Sequence, residues 1–103
     1  MSGHQLSILF PRGDGANFNV EYFLNTHVPL VLKHYKPLGL KSYTIVKLAD
    51  DAPFGGAFVS EWDSHDDIKK ALGSAGSEEI KADVKNFTTV EPVVSGGEVV
   101  ARG

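Results

Sequence analysis

The sequence predicts an α+β domain, an antiparallel sheet with helices packed on one of its faces. Three observations predict it. Four separated runs of alternating, β-branched or aromatic residues have the period of strands. Two longer stretches repeat apolar residues at steps of three and four, the period of a helix with one covered side. In chain order the elements read strand, helix, strand, strand, helix, strand, the split βαβ arrangement.

The first strand spans residues 5–10 and carries Leu6, Ile8 and Phe10 on one face. Pro11, Arg12, Gly13, Asp14 and Gly15 end it. Asp14 is placed to cap the helix that follows, since its carboxylate can accept early backbone N–H groups and suits the positive end of the dipole. That helix, residues 18–35, is the stretch the chain is organised around. Its stripe holds Phe18, Tyr22, Phe23, Leu30 and Val31, with His27 and His34 among them. Pro29 removes one backbone hydrogen bond and crowds the carbonyl a turn earlier, which predicts a bend near Asn25 to His27. Pro37 and Gly39 stop the helix.

Residues 41–48 read as a second strand. Residues 50–56 read as a long polar connection in which Phe54 is out of character. Residues 57–62 form a third strand with Phe58, Ser60 and Trp62 on one face. Ser64 and Asp67 have the spacing of a capping box, opening a helix with Ile68, Ala71 and Leu72 inward. Gly73 to Gly76 interrupts it, and Ser77 restarts it with Glu78 and Glu79 early and Lys81 and Lys85 late, the order the macrodipole favours. Residues 88–94 form the fourth strand, which Pro92 confines to an edge or a bulge. Gly96-Gly97 between two valine pairs reads as a hairpin turn into a further short strand. The expected fold is thus ferredoxin-like βαββαβ. One face of its sheet stays uncovered although it carries apolar residues, and a second copy is the simplest cover.

A chain of 103 residues is expected to be a single domain, residues 1–103. An apolar fraction of 42% and a charged fraction of 22% are those of an ordinary soluble globule. The net charge of -3, with scattered Lys and Arg, gives no footprint for nucleic acid. No apolar run approaches the roughly 18 residues of a membrane span, and the first residues lack the regions of a signal peptide. Without cysteine there is no disulfide framework and no thiolate nucleophile or metal site, and a reducing cytoplasm is the expected location.

Phe18-x3-Tyr22-Phe23-x3-His27-x-Pro29-Leu30, then Phe58-x3-Trp62 and Asp83-Val84-x-Asn86-Phe87, resembles the EthD family, named from ethyl tert-butyl ether degradation. The likeness runs over nearly the whole chain, about residues 5–95. It implies membership of the dimeric α+β barrel superfamily: a homodimer whose two sheets pack into a barrel, with a pocket in each subunit between helices and sheet. In related small proteins of polyketide pathways such pockets host dehydration, decarboxylation or cofactor-free oxidation of aromatic substrates. The histidine of the helix motif falls on His27. One departure is notable. Family members often carry an acidic residue just after the Asn-Phe pair, and here Thr88 and Thr89 follow Phe87. If that acid supports a catalytic group, its absence implies an altered reaction or none.

His27 is the candidate catalytic residue. A neutral imidazole among aromatic rings can take a proton from carbon next to a carbonyl, or give one to a leaving hydroxyl. Desolvation would keep it neutral. The alternative is a packed histidine bonded to a backbone carbonyl freed by Pro29. Tyr22, Tyr43, Phe58, Trp62 and Phe87 are the candidate substrate-binding residues, a flat apolar lining with hydroxyl and indole donors, or else plain core. Ser60, between Phe58 and Trp62, would face the same space, though no nucleophile elbow accompanies it. His34 belongs near the helix end, partly exposed. Arg12 either meets an anionic group at the pocket mouth or stays solvated. The acidic pairs Asp50-Asp51 and Asp66-Asp67 read as solvated charges.

No metal site is expected, because the four histidines lack metal-ligand spacing. No cofactor is expected either, although the superfamily resemblance leaves haem ligation by His27 as an alternative. The resulting expectation is a cofactor-free homodimer acting on a small aromatic or polyketide-like carbonyl compound through His27. The rival is a non-catalytic carrier or stress-type structural dimer of the same fold.

Overall fold

A computed structural model of the chain describes residues 3–12 and 18–103. Four strands, β1 (His4–Pro11), β2 (Ser42–Lys47), β3 (Phe54–Trp62) and β4 (Val93–Glu98), form one sheet in the order β2-β3-β1-β4, every neighbouring pair antiparallel. The register places Leu6 opposite Ser60, Ile8 opposite Phe58 and Tyr43 opposite Ser60. Because side chains alternate along a strand, these residues share one face. Leu6, Phe10, Phe58 and Trp62 on that face are buried against the helices, together with Phe23, Val31, Tyr35, Ile68, Ile80 and Phe87. The architecture is the ferredoxin-like α+β fold that the residue pattern predicts.

The opposite face is differently dressed. The register aligns Val46, Ala57, Leu9 and Val93 in one row across all four strands. Val46 and Val93 are 39% and 45% exposed. This row is an apolar band at one end of the uncovered face. The next rows, Thr44, Val59, Ser7 and Ser95 and then Ser42, Glu61, Gln5 and Gly97, are polar apart from Val59 and Gly97.

The first helical region is one rod in three parts: α1 (Val20–Tyr22), a π-helical turn (Phe23–His27) and α2 (Val28–Tyr35). Pro29 explains the middle part. It has no N–H to give the Asn25 carbonyl and its ring crowds that carbonyl, so the chain widens by one residue per turn. The Val28 N–H then reaches the Phe23 carbonyl five residues back. The distortion falls where the proline predicts a bend. The predicted cap, Asp14, lies outside the described residues. Here Asn19 is the cap, its side-chain oxygen accepting from the Tyr22 N–H at 3.1 Å, so Phe18 precedes the helix instead of opening it.

The second helical region is α3 (His65–Leu72) and α4 (Ala75–Asp83), ending in a 3-10 turn (Val84–Asn86). Ser64 caps α3 as expected, accepting from the Asp67 N–H. The restart is three residues earlier than predicted, with Ser74 as its cap. Ser77 is therefore buried inside α4, hydrogen-bonded to the Tyr35 hydroxyl at 3.0 Å and tying α4 to α2. Close to that bond Gly76 meets His34, whose ring is paired with Glu79 at 2.7 Å.

Three further expectations are corrected. Phe54, Gly55 and Gly56 belong to β3 instead of a polar connection, and Phe18 covers the two glycines, whose missing side chains leave room for its ring. Residues 88–92 are not strand. The strand begins after Pro92, which cannot donate to a ladder. Gly96 and Gly97 make no hairpin turn but pair within β4 opposite Leu6 and Gln5, and the Val99 N–H continues the ladder to the Gly3 carbonyl at 2.8 Å.

Candidate active site

Two segments far apart in sequence meet over the sheet. One is the π-helical turn, which presents Tyr22, Phe23 and His27. The other is the end of α4 and its 3-10 turn, which presents Asp83, Asn86 and Phe87. The Asn19 N–H donates to the Phe87 carbonyl at 2.8 Å, fixing the start of the first helix against the second segment. Beneath them Phe10, Phe18, Phe23 and Phe87 pack edge to face and offset at centroid distances of 5.2 to 5.8 Å. This cluster is a rigid apolar floor.

Asp83 is the hub. Its Oδ2 accepts from His27 Nδ1 at 2.9 Å, and its Oδ1 accepts from the Tyr22 hydroxyl at 2.6 Å and from Asn86 Nδ2 at 2.9 Å. The tight 3-10 turn lets Asn86 reach back three residues to do this. Burial pushes the Asp83 carboxyl up, but the hydrogen bonds from Tyr22, Asn86 and His27 outweigh it and hold the group below its ordinary range. Burial pulls the His27 imidazole down, and the hydrogen bond and charge of Asp83 only partly restore it. The hydrogen bond to Asp83 pushes the Tyr22 phenol up. At neutral pH the arrangement is an ionised carboxylate beside a neutral imidazole and a neutral phenol.

An ionised carboxylate only accepts, so the proton of neutral His27 sits on Nδ1 and the lone pair on Nε2. The ring lies along Phe23 at 5.6 Å and beside Phe87 at 4.5 Å, and the residue is 4% exposed. Nε2 has no hydrogen-bond partner among the described residues. Among the described residues, the side-chain nitrogen that is both sealed from solvent and unpartnered is His4 Nδ1, and His27 Nε2 is not fully sealed. A desolvated imidazole with an oriented, unpartnered lone pair can accept a proton.

The other sequence candidates divide. Tyr22 and Phe87 join His27, Tyr22 through Asp83 and Phe87 by direct ring contact. Phe58 is buried under Tyr43, their rings parallel at 5.6 Å, with Tyr43 on the exposed edge strand β2. Trp62 Nε1 donates to Ser60 Oγ at 3.0 Å, and the Ser60 hydroxyl donates to the Leu6 carbonyl at 3.1 Å. Both are buried, and Trp62 packs edge to face on Tyr35. Arg12 spends its guanidinium on the carbonyls of Ala49, Ala52 and Phe54, clamping the β2–β3 loop.

Asp83 and Asn86 are functional candidates that the sequence reading passed over. Their signal was present, because both stand in the Asp83-Val84-x-Asn86-Phe87 segment. The expected position for an acid was after the Asn-Phe pair, whereas the structure brings one to His27 from before it. Thr88, in the later position, is buried, and its hydroxyl accepts from the Val90 N–H.

A groove of about 360 Å³ runs between the end of α4 and the approach to β4. It touches Val84 and Lys85 but not His27, Tyr22 or Phe87. The oriented imidazole and the groove are separate features. Among the described residues no three His, Cys, Asp or Glu side chains converge as a metal site.

No family model and no curated protein sequence matches the chain. Solved structures do. An EthD-like protein from Ralstonia eutropha JMP134 is 26% identical, with a TM-score of 0.84 over 100% of this chain and 96% of that one. An ethyl tert-butyl ether degradation family protein from Bacillus halodurans C-125 is 19% identical, with a TM-score of 0.71 over 97% and 100%. SnoaB, a cofactor-independent oxygenase from Streptomyces nogalater, is 14% identical, with a TM-score of 0.69 over 100% and 96%. In fold and over its whole length, the chain is similar to these EthD-like α+β proteins.

Proposed function

We propose that this protein is a homodimer that binds a small aromatic or polyketide-like carbonyl compound and uses His27 Nε2 as a proton acceptor. The observation that carries the reading is the Asp83–His27 bond at 2.9 Å, which orients a neutral imidazole with its lone pair free. Nε2 takes a proton from carbon next to the substrate carbonyl, and the charge that forms on the ring is stabilised by the Asp83 carboxylate. In a dehydration the same proton passes to the leaving hydroxyl, which departs as water. General base catalysis of this kind contributes about 10²–10⁴ in rate. Tyr22 and Phe87 shape the approach. Likeness to a cofactor-independent oxygenase supports chemistry carried by the protein's own side chains without a bound cofactor.

Replacing His27 with Ala should remove turnover of an enolisable aromatic ketone while leaving the circular dichroism spectrum unchanged; full turnover in that variant overturns the reading.

The homodimer rests on the Val46, Ala57, Leu9 and Val93 row, which crosses the uncovered face of the sheet and needs a cover. A second reading, a non-catalytic carrier or structural dimer, is favoured by the close packing of Phe23 and Phe87 around His27. On that reading His27→Ala lowers the unfolding temperature, and wild type turns over no such ketone.

A further inference from the structure

We propose that the groove between the end of α4 and the approach to β4 is a binding site for a small amphipathic anion, an aromatic or short acyl body with one carboxylate or sulfonate. It does not rest on the His27 reading. Residues 81, 84, 85 and 88 recur at steps of three and four, so they share one side of the helical segment, whereas Asp83 and Phe87 point to the His27 side. The groove and the His27 site therefore lie on opposite sides of one segment.

The groove's volume of about 360 Å³ falls in the range of small-molecule pockets, about 300–1,000 Å³. Its walls are Val84, Val90, Pro92 and Val94, which accept an apolar body. Lys81 and Lys85, one helical turn apart, supply positive charge at one rim. Lys81 is held only loosely by Glu78, at 3.8 Å, and Lys85 has no ion pair among the described residues. Glu91 also lines the groove and disfavours an anionic head on its side. The charge distribution thus sets the orientation, head to the lysines and body toward Pro92 and Val94. The bond from the Val90 N–H to the Thr88 hydroxyl holds the wall in shape.

The site also reaches the other one. Val84 and Lys85 share the 3-10 turn with Asn86, whose amide bonds Asp83. A ligand pressing on Val84 acts on the turn that positions Asp83.

The test is a fluorescence titration of the full chain with an anilinonaphthalene sulfonate, with neutral phenylnaphthylamine as the uncharged comparison. Saturable binding of the sulfonate is expected, weakened about tenfold in the double variant Lys81→Gln, Lys85→Gln, as the loss of two exposed charge contacts implies. Val94→Asp, which adds a negative charge to an exposed groove residue, should weaken it further. In wild-type protein, amide shifts on titration should concentrate in residues 81–94. Three results would overturn the proposal: equal affinity in the double lysine variant, equal affinity for the neutral compound, or loss of binding in Val93→Ser, which alters only the uncovered sheet face.

Discussion

The carboxylate of Asp83 and the imidazole of His27 stand 56 residues apart in the chain and 2.9 Å apart in the fold. That bond assigns the tautomer, because the carboxylate can only receive the Nδ1 proton. Asp83 is itself held by Tyr22 and Asn86, so the base is oriented by a group that is oriented in turn.

Replacing Asp83 with Asn removes the charge and puts an amide donor among groups that all donate. Nitrogen chemical shifts of wild type should report a neutral His27 protonated on Nδ1, and the variant should lose that single tautomer. Any His27-dependent rate should fall by roughly 10²-fold or more. An unchanged tautomer in the variant would show that Asp83 does not set it.

Acid should destabilise the fold through this pair. The folded pKa of His27 lies below its ordinary value of 6.5 and that of Asp83 below 3.8. For each group the unfolded chain binds more protons in the window below its ordinary value, so stability rises with pH there. The His27 contribution is complete above about pH 6.5 and is lost as pH falls toward its folded value; Asp83 adds the same sign at lower pH. Urea unfolding of wild type and His27→Gln at pH 7 and pH 5 checks this, the variant showing the shallower dependence.

Helix α4 can approach α2 because position 76 has no side chain. A Cβ there would lie 2.8 Å from the His34 Cβ, against a part of that residue that cannot swing away. Gly76→Ala should cost about 1–3 kcal/mol of stability. Adding His34→Ala should recover part of the loss, a coupling that a double-mutant cycle measures.

Ser60 links Trp62 to the Leu6 carbonyl inside the core. Ser60→Ala strands the indole N–H and should cost about 1–3 kcal/mol. The same variant should leave the His27 titration unchanged by NMR.

The apolar row on the uncovered face predicts association. Sedimentation should give a dimer for wild type, and Val93→Glu, which places a charge in that row, should shift it toward monomer.

The strands, the helices and their order were legible in the sequence, because periods of two and of about three and a half are local properties that residues 6, 8 and 10 or 22, 23 and 30 display on their own. Pro29 likewise located the distortion of the first helix, since its missing N–H acts within one turn. Boundaries set by competing caps were not legible: Ser74 and Ser77 look alike in sequence, and only packing against Tyr35 decides that Ser77 lies inside. The same holds for the Gly96-Gly97 pair, a turn by composition and a strand by its pairing with β1. His27 could be singled out as a polar residue in an apolar stripe. Its pairing with Asp83 could not, because the Asp83-Val84-x-Asn86-Phe87 segment marks the acid but a single-chain pattern carries no distances. Tertiary structure decided which carboxylate meets the imidazole, and through it which nitrogen of His27 is left free to act.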